Sequence, residues 1–316
     1  MKKKNILPTL MIAGIMLAII LNPGRYIVSA ANGAALWALT VLPALFPFFF
    51  FSKLLCMFDA DKALGRMLGK PMRLLYNSPP AGGYIFIMSL LSGYPIGAKL
   101  IGDYKESGMI SKDEAHSLAA IASTSGPLFI LGTIGSLILK NSTAGVIILV
   151  SHYISAIVNG LIYRGKNLPE SLTYPENVKI SLRDSIYSAV ISILIVGGYI
   201  IVFSIVCDLI KDIGLLGLIS GALKPVFGPL AEGMLLSLIE VTRGSVIIGV
   251  ADTGIILKTA AIAAGVTFGG MSVILQSITF LGNAGIKTGR FMLMKGTQCV
   301  VAYFTALGLG FLFLPY

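Results

Sequence analysis

Long apolar runs dominate this chain, with polar residues gathered in short clusters between them. Residues 6–21, 34–51, 144–163 and 186–207 are each apolar over nearly enough length for a bilayer-crossing helix, which takes about 20 residues. Four further apolar stretches break off at helix-stopping clusters. Residues 84–91 run into Ser92-Gly93-Tyr94-Pro95, and 118–122 into Ser123-Thr124-Ser125-Gly126-Pro127. In the second half, 234–239 run into Glu240-Val241-Thr242-Arg243-Gly244, and 260–264 into Gly265-Val266-Thr267-Phe268-Gly269-Gly270. Backbone released from helical hydrogen bonds is tolerated at membrane depth only where protein or a water-filled cavity satisfies it. Paired breaks at corresponding places of two halves therefore point to a binding site for a transported solute.

The two halves match in order along most of the chain. Lys70-Pro71 lies opposite Lys224-Pro225, Ser89-Leu90-Leu91 opposite Ser237-Leu238-Ile239, and Gly97 with Gly102 opposite Gly244 with Gly249. Ala119-Ala120-Ile121-Ala122 matches Ala260-Ala261-Ile262-Ala263. The expected fold is an all-α polytopic membrane protein of two inverted repeats. Each repeat holds a re-entrant helical hairpin and a partly unwound transmembrane helix, and one N-terminal transmembrane helix precedes them. An odd number of crossings per repeat makes consecutive repeats inverted. The expected divisions are an anchor at 1–32, a first repeat at 33–163, a linker at 164–183 and a second repeat at 184–316. The linker carries Pro169 and Pro175 and no helical period. Residues 61–75 set leucine and methionine among Lys62, Arg66, Lys70 and Arg73, interrupted by Pro71, the pattern of an interfacial helix on anionic lipid.

Composition agrees with a membrane class: 56% of residues are hydrophobic and 12% charged, against about 25% charged in soluble domains. The net charge of +10 is spread between apolar segments and forms no basic groove interleaved with aromatics, so nucleic acid is not an expected partner. The basic residues instead orient the chain. With Lys2, Lys3 and Lys4 in the cytoplasm, most loop cations fall on that side, including Lys62, Arg66, Arg164, Lys179, Lys287, Arg290 and Lys295. Arg25, Lys140, Lys211, Lys224 and Lys258 fall outside, and Tyr316 ends across the membrane from the N-terminus. The N-terminal run followed by Val28-Ser29-Ala30 also has the outline of a cleavable signal, but its length and the position of Arg25 favour an uncleaved anchor. Cys56, Cys207 and Cys299 form no CxxC pair, and His116 and His152 lack a second ligand at metal spacing, so neither a metal nor a cofactor is expected.

The segments Leu45-Phe46-Pro47-Phe48-Phe49-Phe50, Leu91-Ser92-Gly93-Tyr94-Pro95-Ile96-Gly97-Ala98-Lys99 and Ser125-Gly126-Pro127-Leu128-Phe129-Ile130 resemble those of the YlbJ (SpoVV) sporulation integral membrane protein family, within the nucleoside-recognition Gate superfamily. That wider group is similar to concentrative nucleoside transporters, whose repeats also join a re-entrant hairpin to a partly unwound helix. The resemblance implies transport of dipicolinic acid during sporulation, in a bacterial cell membrane or the outer forespore membrane. Other sporulation membrane proteins or a second copy of the chain are the protein partners it suggests, beside the lipid bilayer. The first tip reads Ser92-Gly93-Tyr94-Pro95 where nucleoside transporters carry an acidic Gln-Thr-Glu pattern.

Recognition of a small anionic solute is expected at the breaks. Arg243 is the one arginine inside a re-entrant segment, and its planar fork suits a carboxylate. Glu240, three residues away at helical spacing, offers it an internal ion pair instead, or takes up a coupling proton. Thr242, Ser92, Ser123, Thr124, Ser125, Thr267 and Ser272 place hydroxyls beside half-helix ends that favour anions, although small hydroxyl residues also serve close helix packing. Tyr94 is placed to stack on an aromatic ring or to sit at the interface. No GxSxG, HExxH or GxxxxGK[ST] motif is present, so an enzyme or an ATP-driven pump is not expected. The remaining classes are an anion carrier, a carrier of nucleosides or other small solutes, and a scaffold of spore-envelope assembly that moves no solute.

Overall fold

The computed structural model describes residues 6–166 and 181–315, so Lys2 to Lys4, most of the expected linker and Tyr316 lie outside the described residues. Among the described residues there is no strand. The fold class expected from the apolar runs, an all-helical membrane protein, is the one observed.

Helix α1 (Ile6–Leu21) ends at Asn22, and Pro23, at the first position of α2 (Pro23–Leu36), begins a new direction; the bend between the two is 110°. Helix α2 continues through a π-helical turn, Trp37–Val41, into α3 (Leu42–Met57). An amphipathic α4 (Ala60–Tyr76) follows, with Asp61, Gly65, Met72 and Tyr76 buried and Met67 and Leu74 exposed; it runs through Pro71 without interruption. The first hairpin is α5 (Ala81–Ser92) and α6 (Ile96–Glu106), reversed at Gly93, whose φ is +83°. Its arms have 12 and 11 residues. At 1.5 Å per residue each reaches about 17 Å, short of the roughly 30 Å hydrocarbon core.

Helix α7 (Lys112–Ile121) starts at a capping box between Ser111 and Glu114 and stops where the Ser-Thr-Ser-Gly-Pro cluster begins. The chain resumes as a π-helix over Leu128–Ile138, and α8 (Ser142–Ile162) is capped by Asn141, whose side chain accepts from Ala144 N at 3.0 Å. The second half begins with α9 (Leu182–Asp212), capped by Ser181 and Asp184, followed by α10 (Leu215–Phe227). Then come the short hairpin arms α11 (Ala231–Ser237) and α12 (Val241–Val250). Helix α13 (Ile255–Phe268) is separated from α14 (Gly270–Leu281) by Gly269 and Gly270, at φ +86° and +69°. Helix α15 (Thr288–Phe313) ends the fold. Among the described residues, four stretches are long and apolar enough to cross a membrane: α8, α9, Ile255–Leu281 and α15; α1 with α2 makes a fifth if the bent pair is one span.

The second helix begins earlier than the apolar pattern indicates, at Pro23 rather than near residue 34. Residues that interrupt the run, Arg25, Ser29 and Gly33, form the face that packs antiparallel on α9. Arg25 pairs with Asp212 at 3.0 Å, Ser29 donates to Asp208 at 2.5 Å, and Trp37 Nε1 donates to Ile193 O at 3.1 Å. A Cβ on Gly33 would lie 2.7 Å from Ser204 Oγ.

Each hairpin tip packs on the break of its own half. A Cβ on Gly97 would fall 1.8 Å from Ala122 O, and one on Gly93 2.3 Å from Gly126 N. In the second half a Cβ on Gly265 would meet Ser237 Cβ at 3.0 Å, and one on Gly270 would meet Ser237 O at 2.8 Å. The outgoing arm of each hairpin also crosses to the other half. Gly102 of α6 closes on Phe280 O of α14, where a Cβ would come to 2.6 Å, and Gly249 of α12 closes on Ile138 Cγ2 of the π-helix, likewise at 2.6 Å.

Candidate functional site

Tips and breaks surround a cavity of about 750 Å3. Its walls come from both halves: Ser92 and Tyr94 of the first tip, Ser125 and Gly126 of the first break, Glu240 to Thr242 of the second tip, Val266 before the second break, and Ser272 and Gln276 of α14. Leu39 to Val41 of the π-turn and Val196 and Ile200 of α9 close it with apolar surface. The size fits pockets for small organic molecules.

Six of the ten sequence-designated residues line this cavity: Glu240, Thr242, Ser92, Tyr94, Ser125 and Ser272. Ser92 is buried and its Oγ has no hydrogen-bond partner among the described residues. Ser272 Oγ accepts from Gln276 Nε2 at 3.2 Å. The other four stand behind the wall. Thr124 is fully buried with its hydroxyl 2.7 Å from Ser89 Oγ, Ser123 offers its carbonyl inward, and Thr267 Oγ1 meets the His152 ring. Arg243 faces away and pairs with Asp208 of α9 at 2.6 Å.

The second tip is arranged differently from the helical-spacing reading. Glu240 does not take Arg243 as its ion-pair partner; its carboxylate caps α12, accepting from Thr242 N at 3.1 Å and Arg243 N at 2.8 Å. A capping carboxylate at a helix N-terminus is stabilised by both the hydrogen bonds and the helix dipole. The start of α14 is likewise occupied, since Met271 N donates to Leu238 O at 2.8 Å and Ser272 N to Ile239 O at 3.2 Å. These two half-helix ends therefore present capped donors rather than an open anion nest.

Two residues that sequence reasoning sets aside organise the centre. Lys295, read as a cation in or near the cytoplasm beside Lys287 and Arg290, is buried to 1% exposure within α15. Its Nζ donates to Tyr94 Oη at 2.7 Å, Ser123 O at 2.8 Å and Gln298 Oε1 at 2.7 Å, and it lies 4.8 Å from the Tyr94 ring centroid. All three ammonium hydrogens are thereby engaged, all by neutral groups, and among the described residues no carboxylate is salt-bridged to it. A lone cation inside an apolar helix is the signal that marks it, because intramembrane charge is costly and functional by default.

His152 of α8 joins the two breaks. Its Nε2 lies 2.7 Å from Ser125 N and its Nδ1 2.7 Å from Thr267 Oγ1. The Ser125 N–H can only donate, so Nε2 accepts and the proton sits on Nδ1, directed at Thr267: the ring is neutral. Tyr94 Oη donates to Thr267 O at 3.0 Å. One connected network thus ties the first tip, both breaks, α8 and α15. Among the described residues no group of three His, Cys, Asp or Glu side chains is placed to hold a metal.

The chain is 29% identical to the sporulation integral membrane protein YlbJ of Bacillus subtilis (strain 168), over 329 aligned residues that cover 93% of this chain and 81% of the relative. No family model matches the chain, and no solved structure matches it. Extending over nearly the whole chain, the similarity supports its placement in the YlbJ family of sporulation integral membrane proteins.

Proposed function

We propose that this chain is a membrane carrier for a small organic anion, with dipicolinic acid as the substrate during sporulation, in the cell membrane or the outer forespore membrane. The observation that carries the reading is the cavity between hairpin tips and helix breaks, with the Lys295 ammonium one layer behind its Tyr94 wall and, among the described residues, no carboxylate paired to it. A dianion leaving water needs fixed positive charge and several donors. Lys295 supplies the charge, and Ser92, a lining residue whose buried Oγ has no hydrogen-bond partner among the described residues, supplies a donor once its side chain turns into the cavity. Arg243, already held by Asp208, serves to anchor the second tip to α9.

In this reading the halves are inverted repeats related by a two-fold axis in the membrane plane. The matched contacts Gly102 with Phe280 and Gly249 with Ile138 support it, since the glycines occupy corresponding places and each closes on the segment after the other half's break. Alternating access then follows from one repeat rocking against the other about the cavity. The N-terminus lies in the cytoplasm, as the loop cations favour. The test is uptake of labelled dipicolinate by vesicles reconstituted with the purified protein. Saturable uptake above that of protein-free vesicles supports a carrier; its absence, with the protein folded and inserted, supports a scaffold. Uptake of nucleosides in its place would reassign the substrate.

A further inference from the structure

Neutral His152 is a latch: it holds the first break through Ser125 N–H and the second through Thr267 Oγ1. A proton added to Nε2 would leave two N–H donors facing each other, so the imidazolium form cannot keep the Ser125 bond. Protonation of this ring therefore has a defined structural result, release of the first break from α8. The other charged or titratable groups around the ring are Lys295 of α15, Tyr94 of the first tip, 6.3 Å between ring centroids, and Tyr153 on its own helix at 5.9 Å. Lys295 contributes one positive charge beside the cavity, and a second one on His152 is opposed in this low-dielectric surrounding until negative charge enters.

Resting on the carrier reading, we propose that His152 is the proton-coupling residue: as a dicarboxylate enters beside Lys295, a proton supplied by the bulk solution on the same side, as hydronium relayed through cavity water, binds His152 Nε2, and the two cations together match the charge of the dianion. Anion and proton then move in the same direction. Ser125 lines the cavity, so Nε2 becomes reachable from it once the Ser125 N–H turns away.

The chain has two histidines, which makes the ring directly observable. In protein labelled with 15N-histidine and held in lipid nanodiscs, a His116→Gln variant leaves only the His152 resonances. Without ligand at neutral pH, one ring nitrogen should be protonated and one bare; saturating dipicolinate should move both to the protonated position. Bound dipicolinate with His152 still neutral overturns the proposal and leaves the carrier reading standing. If dipicolinate does not bind at all, the carrier reading for this anion fails and the proposal with it. His152→Gln supplies an acceptor for Ser125 N–H and a donor for Thr267 without a titratable ring. In vesicles containing a pH-sensitive dye it should carry dipicolinate with at least tenfold less accompanying proton, whereas undiminished proton movement overturns the assignment.

Discussion

Replacing Gly97 with alanine tests how tightly the first tip is seated on its break. The added Cβ would fall 1.8 Å from Ala122 O and 2.9 Å from both Ala122 C and Ser89 Oγ. Ordinary van der Waals contact begins near 3.4 Å, so α6 must withdraw by about 1.5 Å. The nearest obstacle is backbone, which cannot rotate aside. Overpacking of this kind costs about 1–3 kcal/mol, and the rigid neighbour puts Gly97→Ala at the upper end. With roughly 2–4 °C per kcal/mol for chains of this size, the melting temperature in detergent should fall by about 4–12 °C. Gly308→Ala is the control. It lies within α15 with nothing inside 4 Å of the new Cβ, so it should be neutral or stabilising by about 0.5–1 kcal/mol. Equal melting temperatures for Gly97→Ala and wild type would refute the seated-tip geometry.

Three further substitutions separate the roles of the polar groups. Arg243→Ala leaves Asp208 with Ser29 as its remaining side-chain donor and should cost about 1.5–3 kcal/mol; adding Asp208→Asn should recover most of that with dipicolinate uptake intact, and a folded double variant without uptake would return the anion contact to Arg243. Glu240→Ala uncaps α12 and should lower stability by about 0.5–2 kcal/mol in thermal unfolding; no change would mean the cap contributes nothing. Tyr94→Phe removes the acceptor for Lys295 and the donor to Thr267 O, costing about 1–3 kcal/mol, yet calorimetry should show stronger dipicolinate binding because the ammonium loses a competing acceptor. Weaker binding would place the anion elsewhere.

The hairpins and breaks are legible in the sequence because each is signalled locally. Gly93, Ser123 to Pro127 and Gly269-Gly270 end helices through their own conformational preferences, and Ser111 with Glu114 starts one. The partners of the charged residues are not legible in this way. Helical spacing offers Glu240 to Arg243, but a glutamate just before a helix is drawn to the unpaired N–H groups there, and Arg243 turns to Asp208, brought alongside only by the fold. Lys295 lies close enough in sequence to Lys287 and Arg290 to read as a loop cation, whereas the fold draws it into the centre. His152 has no metal-binding companion, and its importance rests on two neighbours, Ser125 and Thr267, that only tertiary packing supplies. The early start of α2 escapes an apolar pattern because its polar face is satisfied by α9 rather than by solvent.

The most direct measurement of the central claim is initial uptake of labelled dipicolinate by vesicles containing either wild-type protein or Lys295→Met. Methionine fills similar space and removes the charge, at a cost of about 2–5 kcal/mol in anion stabilisation, which corresponds to a loss of uptake efficiency of roughly 30-fold or more. The account predicts saturable uptake by the wild type and a loss of that size in a variant that still inserts and melts cooperatively. Wild-type vesicles no faster than protein-free ones, or a folded Lys295→Met protein with unchanged uptake, would contradict it.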